Sequence, residues 1–261
     1  MGVLSGDRLV RCTIPGQNQP YSVVRSKGTM IVNGWENGSF AGIDPTARSV
    51  SWAVSDARAK NYHHLVALPD GTAATYAEDR QPGILRVGPS GLSSLLESPI
   101  RYVASSATTA FALGPVHDTG TEIYRWNGGR FQNYVRVDPA DYALPVKGDE
   151  AVVVYRGHVA LMDGKGTLRD AGNWRPGADV TDSIVAPDGD AYATLQYISR
   201  YGNPSGGTTL IRISARGTID EFAVGKPNTA LDALAVAPDG TIWIAQYYGQ
   251  RVIALPPDYP R

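Results

Sequence analysis

Residues 182–192 read Asp-Ser-Ile-Val-Ala-Pro-Asp-Gly-Asp-Ala-Tyr, and residues 233–243 read Ala-Leu-Ala-Val-Ala-Pro-Asp-Gly-Thr-Ile-Trp. A third copy, His-Leu-Val-Ala-Leu-Pro-Asp-Gly-Thr-Ala-Ala, occupies residues 64–74. Each copy consists of a short apolar run, a Pro-Asp-Gly turn and a second short run, which is the pattern of a β-hairpin. A hairpin that recurs along one chain predicts an architecture of similar, repeated β-sheets.

Weaker copies of the same phrase begin near Tyr21, Arg101 and Tyr142. The six starts lie roughly 40 to 50 residues apart, which is the period of four-stranded propeller blades. A second hairpin repeats as well, because Leu-Arg-Val-Gly-Pro-Ser-Gly at 85–91 matches Ile-Arg-Ile-Ser-Ala-Arg-Gly at 211–217. Two hairpin repeats in the same order predict blades of four strands each.

The repeats also predict individual strands. In blade two they place strands at 65–68, 73–78, 84–88 and 92–97. In blade five they place strands at 183–186, 191–197, 209–214 and 219–224.

The last repeat is one strand short, since residues 251–255 are followed by Pro-Pro-Asp-Tyr-Pro-Arg. Residues 8–15 have the alternation of an outer strand, and pairing of residues 9–14 with 251–255 would remove an open sheet edge. We therefore predict an all-β fold: a six-bladed β-propeller forming a single domain over residues 1–261. Its last blade is expected to combine three C-terminal strands with one N-terminal strand.

Composition and charge limit the partners and the compartment. The formal charge of −1, without a run of Lys or Arg, argues against nucleic acid as a partner. The single Cys excludes an internal disulfide and agrees with a cytoplasmic location or with membership of a larger assembly. We see no signal peptide at the N-terminus and no apolar stretch of about 18 residues that could span a membrane.

Two phrases resemble known propeller repeats: Ala-Pro-Asp-Gly-Thr-Ile-Trp-Ile-Ala at 237–245, and Leu-Ile-Arg-Ile with Gly-Thr-Ile-Asp-Glu-Phe between 210 and 222. They are similar to the repeat of virginiamycin B lyase and, more distantly, of NHL, gluconolactonase/regucalcin and strictosidine-synthase-like propellers. The shared residues are strand and turn residues, so the resemblance implies a fold more strongly than an activity.

In such propellers the first strand of each blade lines a central channel and begins at its upper face. The resemblance therefore implies six equivalent positions at the channel mouth: Tyr21, His64, Arg101, Tyr142, Asp182 and Ala233, with Asp232 one residue before the last. Six-fold geometry would place His64 opposite Asp182. These two residues and Tyr142 are the catalytic candidates, because an acid–base pair with a hydroxyl donor can move protons. Tyr21, Arg101 and Asp232 are ligand-binding candidates; an Arg at such a site would hold an anion.

The loops of the same face add further ligand-binding candidates. They are Trp35, Glu78, His117, Gln246 and Tyr247, together with Arg200 and Tyr201 in the long loop 196–207. Aromatic residues with Arg on an adaptable loop are typical of recognition surfaces.

A metal site is not supported by the matching positions. The second strand of the virginiamycin B lyase repeat often ends in Trp-Phe-Thr-Glu, whereas this chain has Trp-Ile-Ala-Gln, ending at Gln246. That change removes a carboxylate ligand for a hard cation. A gluconolactonase-like site needs an acidic residue in blade one, where this chain has Tyr21. We predict no cofactor, with a divalent cation such as Mg²⁺ or Ca²⁺ as the unsupported alternative.

Two functions remain open. The first is a propeller that binds a small molecule or a protein at its upper face, as an adhesion or assembly module. The alternative is a lyase or lactone-directed hydrolase that resembles virginiamycin B lyase and uses His64, Asp182 and Tyr142 at the channel.

Overall fold

A computed structural model gives the structure of the chain. It describes every residue except 1, 6–7, 12–19, 35–36, 63, 79, 147, 156–157, 174–177, 187, 198–208, 215, 217, 225–230, 238, 247–250, 258 and 260–261. Among the described residues there is no α-helix, and one 3₁₀ turn spans Ala57–Ala59. No helix in this described part is long and apolar enough to cross a membrane.

Six antiparallel sheets follow one another along the chain, after a short N-terminal hairpin. The fold is a six-bladed β-propeller with four strands in each of the first five blades and three in the last. The hairpin and the first three blades comprise β1 Gly2–Ser5, β2 Arg8–Arg11, β3 Pro20–Ser26, β4 Thr29–Gly34, β5 Ser39–Asp44, β6 Ser49–Ser55, β7 His64–Ala67, β8 Ala73–Tyr76, β9 Ile84–Gly88, β10 Gly91–Leu96, β11 Tyr102–Ser105, β12 Ala110–Leu113, β13 Thr121–Trp126 and β14 Phe131–Val137. The last three blades comprise β15 Tyr142–Pro145, β16 Ala151–Tyr155, β17 His158–Met162, β18 Leu168–Asn173, β19 Ala178–Val185, β20 Ala191–Tyr197, β21 Thr209–Ile213, β22 Ile219–Ala223, β23 Leu231–Val236, β24 Ile242–Gln246 and β25 Arg251–Leu255.

The predicted strands of blades two and five are confirmed to within a few residues at their ends. The largest difference is in β19, which begins at Ala178, five residues earlier than the repeat predicts. Its extra residues pair with the end of β20, as Ala178 lies opposite Tyr197. The repeat phrase does not cover this extension, so alignment of the copies could not reveal it.

The repeated turns explain why the sequence folds in this way. Leu68 donates its N–H to the Thr72 carbonyl, and Gly71 donates to the Leu68 carbonyl, both at 2.8 Å. This is a three-residue hairpin loop in which a type I turn is followed by a left-handed residue. The same pair of bonds joins Ala186 to Asp190 and Ala237 to Thr241. The last residue of each loop has positive φ, at 74°, 91° and 87° for Gly71, Gly189 and Gly240, respectively.

Contacts divide the chain into two compact units. The first comprises Met1–Val103, Ala112–Pro115 and Glu122–Asn133, and the second comprises Ala104–Phe111, Val116–Thr121 and Tyr134–Arg261. In the first unit, blades one and two share a core that contains Ile31, Phe40, Ala73 and Leu85. In the second unit, blades five and six share a core that contains Tyr192, Leu210, Leu234, Ile244 and Leu255.

The predicted closure of the last blade by an N-terminal strand stays a prediction. Among the described residues, strand β2 pairs with β1, with Leu9 opposite Leu4 and Arg8 opposite Ser5, and the last sheet comprises β23, β24 and β25. Two residues of sequence, Gly-Asp, separate these paired strands, and Gly followed by Asp is a two-residue hairpin signal. A local hairpin closes a much shorter loop than a pairing with residues 251–255 does. The remainder of the predicted closing strand, residues 12–14, lies outside the described residues.

Candidate functional site

In each complete blade, the first strand begins and the second strand ends at the same edge of the sheet, which we call the strand-start end. The topology places most of the candidate residues there. His64 is the first residue of β7, Tyr142 is the first residue of β15, and Tyr21 is the second residue of β3. Arg101 immediately precedes β11. The predicted opposition of His64 and Asp182 across a channel stays a prediction.

His64 is half-buried and lies against an aromatic ring. It pairs across the sheet with Tyr76, the last residue of β8, and the two rings are stacked with centroids 4.7 Å apart. The His64 carbonyl also accepts a hydrogen bond from the Thr75 hydroxyl at 2.9 Å. One face of the imidazole is therefore covered by Tyr76 of the same blade. The hydrogen bond from Thr75 also holds the backbone of His64 in place.

Asp182 joins two blades. One carboxylate oxygen, Oδ2, accepts a hydrogen bond from the backbone N–H of Leu234 in β23 at 2.7 Å, and the other, Oδ1, accepts from the N–H of Ser183 at 2.8 Å. Its register with β20 shifts between Val180 and Asp182, where β19 contains an irregularity. Such irregularities re-aim a side chain relative to the regular pleat. The carboxylate consequently points to the first strand of the next blade.

The other candidates differ in exposure. The side chain of Tyr142 is buried, with 8 % of its surface exposed, whereas 53 % of Tyr21 is exposed. Arg101 is half-buried, and its backbone N–H donates to the Leu113 carbonyl at 2.7 Å. Gln246 is the last residue of β24 and is buried at 3 % exposure. Tyr21 thus has the most accessible side chain of these four residues.

Two loop candidates are exposed. Glu78 lies just after β8 and makes a parallel bridge with Ile100, and His117 forms an isolated bridge with Gly120 in the loop between β12 and β13. Asp232 lies within β23, between paired Leu231 and Ala233. The other four loop candidates, Trp35, Arg200, Tyr201 and Tyr247, lie outside the described residues.

A polar network at the strand-start end of blades one and two was not predicted. Asn33 in β4 is fully buried; its Oδ1 accepts from the backbone N–H and the hydroxyl of Ser22, and its Nδ2 donates to the Tyr62 carbonyl at 3.1 Å. The Tyr62 hydroxyl donates to the Pro82 carbonyl, and burial raises the pKa of Tyr62. Counted from the turn glycine, the position equivalent to Asn33 holds Tyr76 in blade two, Val153 in blade four and Ala245 in blade six, so the amide side chain was the available sequence signal. The network fixes the loops that carry the neighbouring candidates.

The described residues contain no group of three or more His, Cys, Asp or Glu side chains placed to hold a metal ion. The arrangement offers two kinds of chemistry. In the first unit, Tyr21 and Glu78 are exposed to solvent. In the second unit, His117 is exposed, whereas the Asp182 carboxylate is already an acceptor for two backbone donors.

Comparison with solved structures supports the fold. Virginiamycin B lyase from Staphylococcus aureus aligns with 93 % of this chain and 85 % of its own chain, at 12 % identity and a TM-score of 0.64. A catalytically inactive form of that lyase with quinupristin aligns with 94 % of this chain and 87 % of its own, at 13 % identity and a TM-score of 0.63. The regucalcin of Agrobacterium tumefaciens, a calcium-binding protein, aligns over 87 % and 82 % of the two chains at 10 % identity and a TM-score of 0.51.

No protein-family model matches the chain, and no curated protein matches it. The resemblance to virginiamycin B lyase and regucalcin that the repeat phrases indicate is therefore confirmed for the fold. At identities of 10 to 13 %, it carries no residue roles with it.

Proposed function

We propose that this chain is a ligand- or partner-binding propeller that makes its contacts at the strand-start end. The observation that carries the proposal is the position of Asp182, the predicted acid–base carboxylate. Each of its two oxygens accepts a hydrogen bond from a backbone N–H, and one of these donors belongs to the neighbouring blade. A carboxylate held by such charge-assisted bonds stabilises the fold, and proton transfer to it would weaken both bonds.

The other two catalytic candidates fit the same proposal. Tyr142 is buried within β15, and His64 stacks on Tyr76. Both contacts are typical of side chains that stabilise the fold. Exposed residues at the strand-start end of the first unit supply the binding surface instead, with an aromatic side chain at Tyr21 and a carboxylate at Glu78. Such mixed aromatic and polar surfaces are typical of recognition sites. In the second unit, the exposed imidazole of His117 is a separate binding candidate. If the bound partner is a protein, the proposed function is that of an adhesion or assembly module.

A lyase is the second candidate function. It is favoured by the fold, since the solved structures similar to this chain include virginiamycin B lyase and a streptogramin B lyase, each aligned with more than nine-tenths of it. In this alternative His64 acts as the general base. Substitution of His64 by Ala should then lower turnover by roughly 10²- to 10⁴-fold.

Quinupristin separates the two functions, because it is present in one of the similar lyase structures. Binding is measured by calorimetry, and ring opening is followed by chromatography, for the natural chain and for the variants Tyr21→Ala and His64→Ala. Binding without ring opening, weakened by Tyr21→Ala, supports the binding function. Ring opening that depends on His64 rejects it in favour of the lyase, and ring opening abolished by a chelator indicates metal catalysis instead.

If quinupristin neither binds nor reacts, the variants Tyr21→Ala and Glu78→Gln are tested against protein partners captured by the full chain. The control is Arg130→Ala, an exposed residue at the turn before β14, away from the strand-start end. Partner capture lost in Tyr21→Ala or Glu78→Gln but kept in the control supports the proposed surface. Equal capture by all variants contradicts it.

A further inference from the structure

The chain contains three Asn-Gly pairs, at residues 33–34, 37–38 and 127–128. We propose that Asn127 is a site of spontaneous deamidation and that the structure protects the other two pairs. An Asn followed by Gly reacts when the glycine nitrogen reaches the Asn side-chain carbonyl carbon, since glycine has no side chain in the way. The surroundings of the three pairs differ sharply, and those differences carry the proposal.

Asn127 lies at the exposed tip of the β13–β14 hairpin. It and the three residues after it are exposed, and Gly128 has φ of 93° with no atom within 4 Å of the place where a Cβ would be. The loop therefore has room for Gly128 to rotate toward the side chain. Exposed loop tips with small residues are also where chains tolerate local rearrangement.

Hydrogen bonds at Asn127 favour the reaction itself. Its Oδ1 accepts from the backbone N–H of Gly129 at 3.2 Å and from that of Arg130 at 3.1 Å. Two donors on a carbonyl oxygen stabilise the negative charge that this oxygen acquires when its carbon is attacked. The Oδ1 atoms of Asn33 and Asn37 also accept two hydrogen bonds each, so the three pairs differ in burial and in the surroundings of the glycine, not in this feature. The leaving nitrogen of Asn127, Nδ2, donates to no acceptor in the part of the chain that the structure describes.

The other two pairs are held in place. Asn33 is fully buried, and its Nδ2, the leaving group, donates to the Tyr62 carbonyl at 3.1 Å. Asn37 is exposed, but Gly38 is buried, and a Cβ on it would lie 2.3 Å from the Asp56 carbonyl oxygen. The Gly38 carbonyl also accepts from the Asp56 N–H at 3.0 Å. Close packing around Gly38 and this hydrogen bond restrain the backbone that carries the attacking nitrogen.

The chemistry balances with water as the only co-reactant. The Gly128 nitrogen bonds to Cγ of Asn127, the Cγ–Nδ2 bond breaks, and Nδ2 leaves as ammonia with the proton from Gly128. Water then opens the five-membered imide at one of its two carbonyl carbons, which gives aspartate or isoaspartate. The carbonyl of Gly129, two residues after Asn127, accepts a hydrogen bond from Arg86 of the neighbouring blade at 3.2 Å. The product carboxylate therefore forms beside a contact between two blades.

Peptide mass spectrometry tests the proposal on the full chain. Trypsin cleaves after Arg125 and Arg130, so peptide 126–130 contains Asn127 alone, whereas peptide 28–48 contains both other pairs. After incubation of the folded protein in mildly alkaline buffer, peptide 126–130 should gain about 1 Da and separate into aspartate and isoaspartate forms. The converted fraction should exceed that at 28–48 by about tenfold or more, because the protected pairs react only after local opening.

Two controls isolate the role of the structure. In a denaturant, all three pairs should react at similar rates, and Asn127→Gln should abolish the mass gain in its peptide. If peptide 28–48 converts as fast as peptide 126–130 in the folded protein, or if 126–130 stays unchanged, the proposal is wrong.

Discussion

At the scale of single residues, the decisive side chain is Asp182. The repeat places it at a channel mouth, but its carboxylate accepts the N–H of Leu234, a residue in the first strand of the next blade. Leu234 is a buried member of the core that blades five and six share. A backbone donor at such a place must be satisfied, because an unpaired buried N–H costs free energy comparable to a lost hydrogen bond. The chemical role of a side chain is thus set by the groups that are packed next to it.

Substitution of Asp182 by Asn should destabilise the protein. The amide retains one acceptor oxygen but directs an NH₂ group at a backbone donor, so one N–H loses its partner. We expect a loss of about 1–3 kcal/mol in the free energy of unfolding. Urea denaturation measures it, with Asp118→Asn in an exposed loop as the matched control, which should change stability by less than about 0.5 kcal/mol. Equal stability of both variants would contradict the structural role of Asp182.

At the scale of elements, the Pro-Asp-Gly hairpin loops depend on their last residue. Gly240 has φ of 87°, a region that residues with a Cβ rarely adopt, and a Cβ there would lie 3.1 Å from the Cβ of Pro257. Gly88 is a fair comparison, because its φ is not positive and no atom lies within 4 Å of the place for its Cβ.

Gly240→Ala should therefore cost about 1–2 kcal/mol of stability, the penalty for placing an ordinary residue in the left-handed region. Gly88→Ala should be nearly neutral, within about 0.5 kcal/mol. Thermal melts of the two variants, followed by circular dichroism, provide the measurement. A Gly88→Ala loss as large as that of Gly240→Ala would mean that the turn conformation is not the cause.

A second element-scale feature links blades two and three within the first unit. Arg86 in β9 lies over the Trp126 ring at 5.7 Å, reaches Asp70 at 3.3 Å, and donates to the Gly129 carbonyl at 3.2 Å. Its side chain is partly exposed, which limits the value of the ion pair. The contacts with Trp126 and Gly129 hold the β13–β14 hairpin against the neighbouring sheet, whereas Asp70 belongs to the same blade as Arg86.

Arg86→Ala should lower the free energy of unfolding by about 1–2 kcal/mol, as the sum of a cation–π contact and a weak ion pair. Arg86→Lys should recover only part of that loss, because Lys keeps the charge but lacks the planar guanidinium. The comparison is made by urea denaturation, with Arg130→Ala as the exposed control. Full recovery in the Lys variant would show that charge alone matters.

At the scale of the whole molecule, stability should fall at both ends of the pH range. Burial raises the pKa of Tyr192 above its ordinary value of 10.0. The unfolded chain then releases this proton at lower pH than the folded chain, so stability is intact below pH 10 and decreases above it. Melting temperatures across alkaline pH should show this decline, and Tyr192→Phe should make it shallower. An unchanged slope in that variant would assign the decline to other groups.

The acid side has the opposite sign. A hydrogen bond from the backbone N–H of Thr241 lowers the pKa of Asp239 below its ordinary 3.8. The stability that this carboxylate contributes is present above that value and decreases as pH falls through the folded pKa. Asp239→Asn should reduce the difference between melting temperatures measured at neutral and at strongly acidic pH. An identical difference in both proteins would contradict this assignment.

The sequence by itself determined the fold class and most of the strands of blades two and five. It could do so because the signals are local: a Pro-Asp-Gly loop sets its own turn geometry, and alternation over a few residues sets which face is apolar. The same phrases also indicated the fold resemblance that the solved structures confirm.

Only the tertiary structure decided how those strands are joined and what their polar residues do. Strand β2 pairs with β1, and its alternation of residues does not specify that partner: the short loop between the two strands favours the pairing. Stacking of His64 on Tyr76 and the bond from Leu234 to Asp182 depend on residues of other strands. A repeat phrase shows that a position is equivalent to others, but the chemistry of that position depends on the side chains and backbone groups packed around it.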